Sequence, residues 1–106
     1  MSLHKADVLI VISGSVTSKE DLLSLFAKSL RFPKYFGSNW DALYDCLCDL
    51  SWLDSCRIVI IHEDPFTALS GGDKELYFST LRDAANRWKS DEGRYSIEVK
   101  FPNDKA

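Results

Sequence analysis

At 106 residues, the chain has room for one domain with a single hydrophobic core and too little for two. Apolar residues make up 45%, charged residues 27%, and Gly and Pro number only 5 and 3, a balance that excludes disordered, collagenous and repeat-array chains. The net charge of −3 argues against direct nucleic-acid binding, which needs clustered Lys and Arg. The longest apolar run, Val8 to Ile12, is far short of the ~20 residues of a membrane span. The start shows no secretion signal, and 3 cysteines at irregular spacing make neither a disulfide framework nor a zinc site. A cytoplasmic, reducing compartment is the expectation, with no cofactor and no metal.

In chain order, Asp7 to Ile12 reads as a buried strand ending at the turn Ser13-Gly14-Ser15. Thr17 and Glu20 have capping-box spacing, and Leu22, Leu23, Phe26 and Leu30 recur at helical intervals, predicting a helix over about 18–30. Pro33 ends it, and an aromatic-rich connection closes at Gly37. Asn39 is a good N-cap for a second helix reaching about Leu50. Arg57 to His62 is apolar enough to be a strand that is central or covered on both faces. A loop, Glu63 to Gly72, leads to Asp73 as the cap of a third helix over roughly 74–89. Its apolar stripe is Leu76, Tyr77, Leu81, Ala84, Ala85 and Trp88. After a turn at Gly93, Tyr95, Ile97, Val99 and Phe101 alternate with polar residues in a last strand. The order β-α-α-β-α-β predicts one α/β domain over 1–106 with a three-stranded parallel sheet.

The charge is unevenly placed. Residues 38–64 carry Asp41, Asp45, Asp49, Asp54, Glu63 and Asp64 against Arg57 alone, a concentrated negative field suited to a basic partner. On a helical wheel, Trp40, Leu43, Cys46, Leu47 and Leu50 form the core stripe. Asp41, Asp45 and Asp49 stack opposite, with Tyr44 and Cys48 at the margin. Like charges four residues apart each cost about 0.2–0.5 kcal/mol, so folding alone would not select this face. Tyr35, Phe36, Trp40 and Tyr44 flank the acids. Phe36 and Trp40 suit the core, whereas Tyr35 and Tyr44 suit surface contacts. A rigid acidic and aromatic helix face describes a protein interface better than a catalytic cleft.

The run Phe32-Pro33-Lys34-Tyr35-Phe36-Gly37-Ser38-Asn39-Trp40-Asp41-Ala42-Leu43-Tyr44-Asp45-Cys46-Leu47 resembles the signature of the barstar family of intracellular inhibitors of the ribonuclease barnase. That resemblance implies a two-layer α/β fold and an inhibitor or immunity protein, not an enzyme. In such a protein the second helix and the preceding loop plug a nuclease active site. It makes Asp45 the central acid, surrounded by Tyr35, Asn39, Trp40, Asp41 and Tyr44, with Gly37 allowing close backbone approach. Leu81-Arg82-Asp83 matches the family's apolar-Arg-Glu triplet, which adds Asp83. Tyr44 stands where the prototype has Trp, Trp40 where it has Leu, and Cys48-Asp49-Leu50 replaces Thr-Gly-Trp.

Two other readings compete with this one. The same fold would serve as an interaction module for a basic protein that is not a nuclease. Alternatively, His62, Glu63 and Asp64, at the carboxyl end of a strand, would form a small metal-dependent hydrolase with His62 as base and the acids holding Mg²⁺. The bland account of those three residues, a strand ending in a polar loop, is preferred. Gly71-Gly72-Asp73 lacks the lysine and the glycine spacing of a phosphate loop.

Overall fold

A computed structural model describes residues 7–33, 39–54, 56–63, 66, 68–89 and 95–101. Strand β1 spans Val8–Ile12, α1 Lys19–Ser29, α2 Trp40–Asp49, β2 Cys56–His62, α3 Gly71–Lys89 and β3 Tyr95–Lys100. The element order and the three-stranded parallel sheet are those expected, with strands in the sequential order β1-β2-β3. Leu9 pairs with Val59 and Val59 with Glu98, which fixes the register across the sheet.

Because successive strand residues point to opposite faces, the register sorts the side chains into two sets. Ile10, Ile12, Ile58, Ile60, Tyr95 and Ile97 join the core beneath the helices, together with Leu22, Phe26, Leu43, Leu47, Tyr77, Leu81 and Trp88. The other face is open at its β1 edge, where Leu9 and Val11 are exposed. Central Val59 remains buried between Leu9 and Glu98. β2 is therefore the central strand, and among the described residues helices lie over one face only. On the open face Glu98 holds Arg57 at 2.7 Å and Lys100 at 3.2 Å. The Lys100 hydrogen bond first, and both cations' charges, hold the Glu98 carboxyl below its ordinary range.

Three local expectations need correcting. The N-cap of α1 is Ser18, not Thr17; its hydroxyl accepts from the Asp21 backbone N–H at 3.0 Å. Both residues are capping types, and one residue of register separates them. α3 begins at Gly71, so Gly71 and Gly72 belong to its first turn and Asp73 is not its cap. Leu76 is exposed, and Thr80 takes the buried place on that helix.

Candidate functional site

The second helix is built for rigidity at both ends. At its start the Asn39 side chain accepts from the Ala42 backbone N–H at 2.8 Å, as its capping chemistry predicts. Trp40 is buried beside Tyr77, with their ring centroids 5.8 Å apart, and its indole N–H donates to Asp73 Oδ1 at 3.1 Å. The Lys19 ammonium lies 5.0 Å from the Trp40 ring centroid, within cation–π range. One residue thus joins α1, α2 and the first turn of α3. Asp73, expected to cap α3, holds α2 instead.

The other end of α2 is secured through carbonyls that a helix terminus leaves without intrahelical partners. Leu50, buried and left-handed at φ 51°, closes the helix by donating its N–H to the Cys46 carbonyl. The Trp88 indole donates to the Leu47 carbonyl at 2.7 Å, and the Tyr95 hydroxyl lies 3.0 Å from the Leu50 carbonyl. Side chains of α3 and β3 therefore fix both ends of a ten-residue helix.

The wheel reading of α2 matches the burial. Trp40, Leu43, Cys46, Leu47 and Leu50 are buried, while Asp41, Asp45 and Asp49 are exposed. The three acids do not have the same local reasons to be there. Asp41 lies in the first turn, where the helix dipole favours it. Asp49 accepts from the Ser51 backbone N–H at 3.3 Å, a structural role that the wheel did not reveal. Among the described residues, neither a hydrogen bond nor an ion pair engages the Asp45 carboxylate.

Tyr44 and Cys48, four residues apart on α2, are half-buried where α2 meets α3. The neighbouring Cys48 thiol is the main reason the Tyr44 pKa is raised. The Asp83 carboxylate on α3 pushes the same phenol up, and Arg87, one turn further along α3, pulls it down. Arg87 pulls the Cys48 thiol down, but burial outweighs that effect and leaves it raised. Burial likewise raises Cys46, with Asp49 and Asp45 adding to it. Both thiols are thus protonated and free near neutral pH.

Of the residues singled out from sequence, Asp41, Tyr44, Asp45 and Asp83 come together on one surface running from α2 across to α3. Asp83 is 58% exposed in its side chain, with Arg82 at 3.6 Å. Asn39 is exposed at the head of α2, whereas the Trp40 side chain faces inward. Tyr35 and Gly37 lie outside the described residues, as does Phe36. Sequence reasoning missed Arg87, which repeats Asp83 at helical spacing but is far from α2 in the chain.

The hydrolase reading meets a different geometry. His62 is only 1% exposed, packed against Phe66, Tyr77 and Phe78, with Phe101 stacked at 4.9 Å. Its Nδ1 lies 3.0 Å from the Lys100 carbonyl, which can only accept, so Nδ1 carries the proton. Nε2 of the neutral ring then accepts from the Tyr77 hydroxyl at 2.7 Å. Burial lowers the His62 pKa, and both ring nitrogens are occupied within the core. Asp64 lies outside the described residues, and no group of three potential metal ligands occurs among those described. No helix among them is long and apolar enough to cross a membrane.

No curated protein matches the chain. The family described as Barstar (barnase inhibitor) matches residues 7–100, nearly all of the sequence and every element of the sheet and helix layer. The chain belongs to the barstar family of barnase inhibitors.

Proposed function

We propose that this chain is a cytoplasmic inhibitor, acting as an immunity protein, that occupies the basic active site of a barnase-type ribonuclease with the outer face of α2. The carrying observation is the Asp45 carboxylate, exposed at the middle of a helix whose two ends are held by α3 and β3. A ribonuclease site stabilises a pentacoordinate phosphate with cations, and carboxylates on a rigid helix substitute for the phosphate oxygens. Asp41 and Asp83 flank Asp45 in this reading and pair with further Arg and Lys of the cleft. Tyr44 supplies an aromatic contact with a polar tip. Asn39, Trp40, Tyr35 and Gly37 complete the binding segment, Trp40 by seating α2 and Gly37 by its small size. Holding the carboxylates in place before association lowers the entropy cost of binding.

Titration of barnase with this protein, following RNA cleavage, tests the reading. Stoichiometric inhibition is expected, with a Kd at least about 30-fold weaker for Asp45→Ala, the scale of an interfacial hot spot. Added salt slows association of the native chain. Absence of inhibition with excess protein rejects the reading.

A further inference from the structure

β3 is an edge strand: among the described residues its one strand neighbour is β2. The N–H and C=O of a strand residue point to the same side, and successive residues alternate. The Lys100 carbonyl turns toward β2, where it accepts from His62. The backbone groups of Ile97 and Val99 therefore point outward, away from the sheet. Beside them, between α3 and β3, runs an open groove of about 490 Å³ lined by Phe78, Leu81, Ala85, Ile97, Val99 and Phe101, far larger than the water-sized voids of a packed interior. Asp41, Tyr44, Asp45 and Asp83 do not line it, so this surface is separate from the acidic face of α2.

The strand is complementary to itself. In Ile97-Glu98-Val99-Lys100-Phe101, Val99 has an acid on one side, a base on the other and an apolar residue beyond each. Two copies paired antiparallel with Val99 on the two-fold axis set Glu98 opposite Lys100 of the second copy, twice, and Ile97 opposite Phe101. The outward groups of Val99 make it a hydrogen-bonded pair with its copy. Glu98 and Lys100 then fall in the non-hydrogen-bonded pairs, where side chains stand closest. The helices agree. The ring centroids of Phe78 and Phe101 are 5.2 Å apart and those of Trp88 and Tyr95 4.8 Å, so α3 runs antiparallel to β3 with Leu81 and Arg82 near the level of Val99. Glu75 and Lys89 lie about two turns to either side of Arg82 on one flank of α3, and the same axis brings Glu75 toward Lys89 of the second copy. Arg82, with Asp83 at 3.6 Å, meets its own copy there, a like charge that keeps association weak. We propose that the β3 edge and its groove take up a second copy of this chain, joining two three-stranded sheets edge to edge and leaving the α2 face of each protomer open. This dimerisation does not depend on what α2 binds.

The test is sedimentation velocity of the full chain over a dilution series, with a reductant present so that the free thiols form no linked dimers. A dimer with a Kd on the order of 10 µM is expected, so that it dominates at about 1 mM. Glu98→Lys and Lys100→Glu are each expected to weaken self-association at least about tenfold, because each sets like charges across both cross-strand pairs. An equimolar mixture of the two variants is expected to recover the dimer, since a strand with two lysines then faces a strand with two glutamates. Thermal melts of each variant separate folding effects from association. A native chain that stays monomeric at the highest concentration overturns the proposal. A dimer that the single variants leave intact, or that their mixture fails to restore, also overturns it and moves the contact elsewhere, such as to exposed Leu9 and Val11 at the β1 edge.

Discussion

His62 ends β2 with both ring nitrogens bonded and four aromatic rings around it, whereas Asp45 stands midway along α2 in solvent between two other carboxylates. Both are ionisable side chains on regular elements. Around His62 the fold keeps the ring neutral, satisfies each polar atom and surrounds it with apolar surface, so that polar burial costs little. Around Asp45 it does the reverse and sets like charges at helical spacing. The difference separates residues that hold the domain together from residues available to another molecule. Titratable groups near a strand end do not mark a reactive site when the core has already taken their bonding capacity.

Tyr77→Phe strikes the buried side of this comparison hardest. It removes the donor to His62 Nε2 and leaves a buried acceptor unpaired, for an expected loss of about 1–3 kcal/mol in urea unfolding. Binding through α2 is expected to survive below the unfolding transition, and its loss there would show that the two regions are coupled. Acidification tests the same region without mutation. The folded pKa of His62 is depressed below its ordinary 6.5, so the unfolded chain takes up the proton first. Stability is therefore full above about pH 6.5 and falls as pH drops through the lower folded value. His62→Gln is expected to flatten that part of a Tm–pH profile. Glu98, whose folded pKa is also depressed, contributes a separate loss below its ordinary value of 4.5.

Trp40→Phe probes the junction between the two regions. It keeps the ring packing and removes the bond to Asp73, for an expected cost of about 1 kcal/mol. Fraying of the α2 start, seen as faster amide hydrogen exchange at Leu43 and Tyr44, would accompany it. The smallest effect on folding is that of Asp45→Ala. It relieves repulsion from Asp41 and Asp49 and is expected to stabilise the isolated protein by about 0.2–0.5 kcal/mol per relieved pair in urea unfolding. A destabilised Asp45→Ala chain would move Asp45 to the structural side of the comparison.

Much of this division was legible locally. The 3.6-residue period placed Leu43, Cys46 and Leu47 inside and the three aspartates outside, and Asn39 was recognisable as a cap because its bond reaches only three residues along the chain. Asp73 shows the limit of the same local rule, which makes it the cap of α3 although that helix starts at Gly71, while its partner, Trp40, is 33 residues away. His62 at the end of an apolar run gave no sign that Tyr77 and Lys100 would take up its two nitrogens. Asp49 looked like a purely unfavourable charge because its bond to Ser51 depends on the geometry of the helix end.

The sequence by itself determined the elements, their order, the buried stripe of each helix and the acidic face of α2, because short-range periodicity and capping chemistry are written in neighbouring residues. Tertiary structure alone decided what holds α2 at each end, which ionisable groups disappear into the core, and that Asp83 and Arg87 border Tyr44 and Cys48. Those outcomes depend on side chains brought together from distant parts of the chain, and the distances and burial that govern them arise only when the helix layer closes over the sheet.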